Sequence, residues 1–397
     1  MKLKFADRIA HMKPSAIREI LKASNDPNVI SFAAGNPAPE AFPVELVRKI
    51  SDELFETDPI AVLQYSVTEG YGPLRDRLKV VCREHYHVGT DDDDIILLSG
   101  GQQGADLAAR CMCNRGDVVL CEDPSFVGCL NSFRQFQAKL VGIEMDEEGI
   151  NLEKLEAAIH AHENIAFLYL IPTFQNPTGL TMSAKRRREV YDLCKKHQIL
   201  IVEDNPYTDT RFRGEAVDPI KSLDDEGLVL YLGSFSKILA PGIRLGYAVG
   251  PKELIGKMAT GKQGEDVHST IWSQRVAYRF LESVNLDEYA KHLGEIYQKK
   301  CDLMLSLLDE MVGNKIQYTR PEGGLFIWCT LPDGVDMLDF CNRCAEHKLS
   351  VVPGNAFLAE GDEGKTQSFR INYSTPTDEQ LREGVKILAE VINETIR

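Results

Sequence analysis

The sequence predicts an α/β protein with a large domain, built on a mostly parallel sheet between helices, and a smaller α/β lobe after it. Three observations predict it. The chain has 397 residues, more than one hydrophobic core usually organises. From about residue 90 to 250, short apolar runs alternate with helical patterns. The last third changes character, with two strand-like stretches lying between helices. Taken in order, the candidate strands of the large domain are DIILLS, DVVLCE, KLVGIEM, AFLYLIP, ILIVED and LVLYLGS. Several end in a polar or glycine-rich loop, and open α/β sheets bind ligands outside the carboxyl ends of their strands. A segment of helical pattern around Val267 to Tyr297 joins the two parts. In the last third IQYTRPEGGLFIWCTLP and SFRINYS read as strands and MLDFCNRCAEHK as a helix. Thr377 and Gln380 form a capping-box pattern that opens the last helix, with Leu381, Val385, Leu388 and Val391 at helical spacing.

Composition excludes several classes. A formal net charge of -15 and a pI near 5.2 leave no basic surface for nucleic acid. No apolar stretch approaches the ~20 residues of a membrane span, and the start lacks the apolar region of a signal peptide, so the expected location is the cytoplasm. The ten cysteines are scattered and read as reduced core residues, including the Cys341/Cys344 pair. No metal site is expected, since the nine histidines show no paired ligand spacing. Asp91 to Asp94 reads as a solvated loop before a strand, and Arg186 to Arg188 as the wet face of a helix.

Four strand ends carry groups with chemistry. SGGQQG, Ser99 to Gly104, is a glycine-rich turn opening a helix, either an anion site built on helix N–H groups or a tight turn that touches nothing. AFLYLIPTFQNPTG brings Asn176, which otherwise only caps a turn. ILIVEDNPY brings Tyr207 and Asp204, a carboxylate in a run apolar enough to be buried, which needs a cation from a ligand or from a neighbouring Arg. VLYLGSFSKILAPGIRLG runs into Ser234, Ser236 and Lys237, with Arg244 close behind. Hydroxyls and a guanidinium suit a phosphate dianion. A lysine at an apolar pocket mouth has the lowered pKa needed to form an imine with a carbonyl cofactor, whereas a lone SxSK is as readily a surface feature.

With these loops in order, and with SFAAGNPAPEAFP, QYSVTEGYGPLR and RINYS flanking them, the chain resembles the fold type I aminotransferases of class I/II over essentially its whole length. Within them it is similar to the branch of 2-aminoadipate and kynurenine aminotransferases and of MocR-like regulator domains. The resemblance implies a seven-stranded-type sheet in a large domain that binds pyridoxal 5'-phosphate (PLP). It implies that Lys237 carries PLP as a Schiff base and shuttles protons, that Asp204 pairs with the ring nitrogen, and that Asn176 and Tyr207 bond the phenolic oxygen. Gly101, Gln102, Ser234, Ser236 and Arg244 would anchor the phosphate, together with Tyr65 from a partner subunit, so a homodimer is implied. Phe126 would stack on the ring. Arg370 would hold the substrate α-carboxylate with Asn176 and Gly35 beside it, and Arg18 would meet a substrate from a covering segment, unless it is simply solvated.

The expected function is transamination of an amino acid with a 2-oxo acid in a ping-pong cycle through pyridoxamine phosphate, a step of amino-acid metabolism. A β-lyase of the same fold is the alternative. A MocR-like effector domain is the weaker one, because the family's first segment begins almost at Met1 and leaves no room for a winged helix. The expected division is 1–45 as a segment associated with the small domain and the site entrance, 46–285 as the large domain and 286–397 as the small one.

Overall fold

The structure is a computed structural model and describes residues 3–10, 26, 28–361 and 364–396. Its strands in chain order are β1 (Ile30–Ser31), β2 (Asp93–Leu98), β3 (Val118–Asp123), β4 (Lys139–Asp146), β5 (Gly149–Ile150), β6 (Ile165–Leu170), β7 (Ile201–Asp204), β8 (Val229–Ser234) and β9 (Gly246–Pro251), followed by β10 (Gln317–Tyr318), β11 (Phe326–Thr330), β12 (Leu349–Ser350), β13 (Val352–Pro353) and β14 (Ser368–Asn372). The large sheet has the order β2-β9-β8-β7-β6-β3-β4-β5. Seven strands form its body and the two-residue β5 adds a short antiparallel edge. The run β8-β7-β6-β3-β4 is parallel throughout, while β9 is antiparallel to both of its neighbours, β2 and β8.

The strands are apolar on both faces because helices cover both. Val119, Cys121, Phe167, Tyr169, Val202 and Leu230 belong to one core, and the alternating Val118, Leu120, Leu168, Leu170, Ile201 and Val229 to the other. The smaller sheet is antiparallel in the order β10-β11-β14-β13, against the helices Leu286–Met311 and Asp378–Thr395. The early strand β1 pairs in parallel with β12, so the segment after it is held by the C-terminal part of the chain. The capping box at Thr377 and Gln380 is formed.

Four readings change. The connector is two helices rather than one, Ile271–Ser283 and Leu286–Met311, because Asn285 leaves the helix and caps the second through the N–H groups of Asp287 and Glu288. The IQYTRPEGGLFIWCTLP stretch is two strands, β10 and β11, around a turn containing Gly324 at φ +74°. Arg187 is not on a wet face: it is 1% exposed, and its guanidinium donates to the carbonyls of Met182, Pro172, Val217 and Asp218. Asp93 and Asp94 are not a free loop either, since they open β2, where Asp93 pairs with the buried Lys221 at 2.7 Å and Asp94 with Arg75 at 2.9 Å.

Candidate active site

Parallel strands end on one edge, so the loops after β2, β3, β6, β7 and β8 converge there, joined by the start of the reversed strand β9. After β2 the chain turns at Gly100 (φ +91°) into the helix Gly101–Met112, which no side chain caps. The N–H groups of Gly101 and Gln102 head this helix and have no carbonyl of their own helix to reach. Arg244, in the left-handed region at φ +49°, donates through Nη2 to the Ser99 carbonyl at 3.2 Å. Its Nη2 lies 2.5 Å from where a Cβ on Gly100 would stand, so residue 100 must lack one. Past β8 the Ser236 N–H donates to Ser234 Oγ at 3.1 Å, which brings both hydroxyls to the same edge. Hydroxyls, a guanidinium and a helix N-terminus together form a cradle for an anion.

Beside this cradle Lys237 Nζ donates to the Gly35 carbonyl at 2.7 Å and lies 5.9 Å from the centre of the Tyr207 ring. Burial, with repulsion from Arg370 and Arg244, brings its ammonium down to about 8. Asp204, at the end of β7, is buried and accepts from Tyr169 Oη at 2.7 Å, with Cys129 Sγ at 3.9 Å. Burial pushes its carboxyl up to about 6, against the pull of those two donors. Among the described residues no ammonium or guanidinium pairs with it. Asn176 hydrogen-bonds Tyr207, whose phenol is pushed above its ordinary range by burial.

Arg370 stands on β14 in the smaller sheet, between Trp328 on β11 and Val352 on β13. Its Nη1 donates to Asn176 Oδ1 at 2.8 Å and its Nη2 to the Ala33 carbonyl at 2.7 Å, while Nε is buried without a partner. The guanidinium carbon lies 4.1 Å from the Phe326 ring centre and 5.0 Å from that of Phe357. Burial lowers it to about 10, which leaves it charged at neutral pH.

One cavity of about 490 Å³, a size suited to a small molecule, is lined by Gly35, Gly101, Gln102, Phe126, Asn176, Asp204, Tyr207, Ser234, Ser236, Lys237, Arg244 and Arg370. Gln102 reaches it by its backbone, because its side-chain amide donates instead to Gly128 O and Ser132 Oγ. Tyr65 stands elsewhere on this chain, 83% exposed with its ring edge-on to His268. Arg18 lies outside the described residues.

Sequence reasoning missed the Ala33 carbonyl, the Phe326 and Phe357 faces and the Tyr169 hydroxyl. Only Tyr169 carried a signal, as the one polar-tipped residue inside the apolar run AFLYL. It also missed that Glu156, His160 and His197 bring their ligand atoms within 4.8 Å of one another on a surface where Glu156 also pairs with Lys196.

The aminotransferase class I and II family profile matches residues 27–388. The chain is 40% identical to the aromatic-amino-acid aminotransferase 1 of Thermococcus litoralis, over 99% of this chain and 95% of that one. Its fold superposes on a Pyrococcus horikoshii kynurenine aminotransferase crystallised with pyridoxamine phosphate, with a TM-score of 0.95 and 37% identity over 99% and 98% of the two chains. It also superposes on LysN, the α-aminoadipate aminotransferase of Thermus thermophilus crystallised with N-(5'-phosphopyridoxyl)-L-leucine, with a TM-score of 0.90 and 33% identity over 99% and 98%.

Proposed function

The chain belongs to the aminotransferase class I and II family and is a PLP-dependent aminotransferase, and from that premise we propose which residues run its reaction and which donors it takes. β-Elimination is not the reading that these relatives favour. The observation that carries the site assignment is the buried, cation-free carboxylate of Asp204 in the same cavity as an anion cradle and a lysine amine. A protonated pyridine ring with a phosphate arm satisfies both ends at once, which supports the fit of PLP to these residues.

When bound, PLP supplies a carbonyl for amines and a ring that accepts the electron pair of the substrate Cα–H bond. Lys237 holds the cofactor covalently and, once displaced, moves the proton at the substrate Cα, a task for which an amine brought down to about 8 is suited. Asp204 keeps the ring nitrogen protonated, and Asn176 and Tyr207 donate to the phenolic oxygen. Gly101, Gln102, Ser234, Ser236 and Arg244 hold the phosphate, Phe126 covers the ring, and Arg370 takes the α-carboxylate in the space beside Gly35.

The donor proposed is an amino acid with an aromatic or large apolar side chain. Phe126, Tyr207 and Phe326 line the cavity, and its three described cations, Lys237, Arg244 and Arg370, are already assigned. A homodimer is proposed, with Tyr65 entering the partner's phosphate site. Its support is the exposed apolar run Ile60 (71%), Leu63 (72%), Tyr65 (83%) and Val67 (59%). The division at 285/286 is supported by the capped break at Asn285, and that at 45/46 is proposed with it. Among the described residues no helix is long and apolar enough to cross a membrane. Ten free cysteines support a reducing, cytoplasmic location.

The test is an absorption spectrum of the holoenzyme as single amino acids are added without an oxo acid. Bleaching of the visible band with a stoichiometric near-ultraviolet gain, strongest for aromatic donors, is expected. A spectrum that responds to acidic donors alone overturns the donor class. A Lys237→Ala protein that retained covalent cofactor and turnover would overturn the site.

A further inference from the structure

A lysine is almost never fully buried unless it is paired, and Lys262 has 0% exposure yet lines no part of the cavity. It lies near the end of the helix Lys252–Gln263, which packs against the helix Gly101–Met112. Its Nζ reaches Gln103 Oε1 at 2.7 Å, both Asp266 oxygens at 2.8 Å and Ser269 Oγ at 3.0 Å. The same atoms then turn toward the anion cradle. Gln103 Oε1 also accepts from the Ser99 N–H at 2.8 Å, and Asp266 Oδ2 accepts from Ser99 Oγ at 2.6 Å and from Gln103 Nε2 at 2.9 Å. Ser99 is therefore gripped through its N–H and its hydroxyl by two groups that share one ammonium, while its carbonyl takes Arg244. On the other side β9 presses in, with Gly101 N only 2.9 Å from where a Cβ on Gly246 would stand.

We infer that Lys262 is a positioning residue for the phosphate-binding turn: through Gln103 and Asp266 it fixes Ser99, and with it the direction of the Gly101 and Gln102 N–H groups. The inference rests on the proposed phosphate role of that turn. The physical reason is that a two-glycine turn has little conformational preference of its own, so N–H groups aimed at an anion need an external lock. An ammonium is the group that can hold a carboxylate and an amide oxygen together in a buried space, since it donates three hydrogen bonds and accepts none. Without it Gln103 and Asp266 lose their common donor, and Ser99 is left with partners that no longer share a fixed point.

The test measures the affinity of the apoprotein for PLP and for pyridoxal, which has the same aldehyde and ring without the phosphate, in the wild type and in Lys262→Met, Gln103→Leu and Ser236→Ala. Losing a charged, buried hydrogen-bond centre is expected to weaken PLP by about tenfold or more in Lys262→Met and Gln103→Leu. Pyridoxal binding should change by less than about twofold, as for any alteration confined to phosphate contacts. Lys262→Arg, which keeps a cation, is expected to recover part of the PLP affinity. If Ser236→Ala loses PLP selectively while Lys262→Met and Gln103→Leu do not, the positioning role is wrong and the phosphate site stands. If no variant separates PLP from pyridoxal, the phosphate assignment itself fails. A Lys262→Met chain that does not fold leaves the decision to Gln103→Leu, which keeps the Lys262–Asp266 pair.

Discussion

Three cations, Lys237, Arg244 and Arg370, line one cavity, and their neighbours set each a different task. Arg370 is clamped by Asn176 and the Ala33 carbonyl between two aromatic faces, so it is a fixed planar fork. Replacing it with lysine keeps the charge and loses the fork. Arg370→Lys is expected to raise KM for the amino donor by about 10- to 100-fold while the PLP affinity moves far less, as measured by steady-state kinetics beside a cofactor titration. Equal losses in both would count against the carboxylate role. Lys237 belongs to the opposite case, a cation made easy to discharge. Its ammonium falls from 10.5 to about 8, chiefly by burial, so the neutral amine grows in as pH rises through about 8 instead of through the ordinary lysine range. The rate at which the apoprotein captures PLP covalently should therefore climb with pH and level off above about 8. A rate still climbing at pH 10 would show a lysine in free solvent. The sign for folding is the same: the cost of burying the ammonium is fully present below about 8 and is relieved as pH rises toward 10.5.

At the scale of elements, the reversal of β9 brings the two halves of the cradle together. Because β9 runs against β8 and β2, it begins at the edge where they end, and Arg244 just before it meets Ser99 just after β2. Gly100 is the hinge of that meeting. Gly100→Ala forces a side chain into a positive φ and against the Arg244 guanidinium, and it is expected to weaken PLP binding with little change in pyridoxal binding, as read by titration of the apoprotein. A second element-level expectation concerns the last helix, which buries Leu381, Val385, Leu388 and Val391 and starts at a formed capping box. Thr377→Ala should lower stability by about 1 kcal/mol in urea denaturation, with the absorbance of bound cofactor unchanged below the transition. Loss of cofactor ahead of unfolding would mean that this helix contributes to the site.

For the whole molecule, the cavity exists because distant parts of the chain are tied together. β1 pairs with β12, and the carbonyls of Ala33 and Gly35 that follow β1 meet Arg370 of the smaller sheet and Lys237 of the larger one. The exposed apolar run from Ile60 to Val67 invites a second copy at the same level. Leu63→Glu places a charge in that run. It is expected to shift the protein toward monomers in sedimentation velocity and, by removing Tyr65 from the partner's site, to weaken PLP retention. A dimer that survives this change unaltered would place the interface elsewhere.

The sequence by itself determined the fold class, the strand ends that carry Asn176, Asp204, Tyr207 and Lys237, and the cap at Thr377. These follow from local pattern, since apolar runs that must be buried on both faces mark parallel strands, and polar residues just past their ends mark the ligand edge. Tertiary structure alone decided what depends on contacts far apart in the chain. Arg187 reads as solvated from its basic neighbours, yet it is buried because four carbonyls from other segments surround it. Lys262 reads as one more surface lysine until the helix Gly101–Met112 brings Gln103 and Ser99 against it. The direction of β9 and the aromatic sandwich on Arg370 were equally out of reach, because no spacing within a strand encodes which strand lies beside it or which ring lies across the cavity.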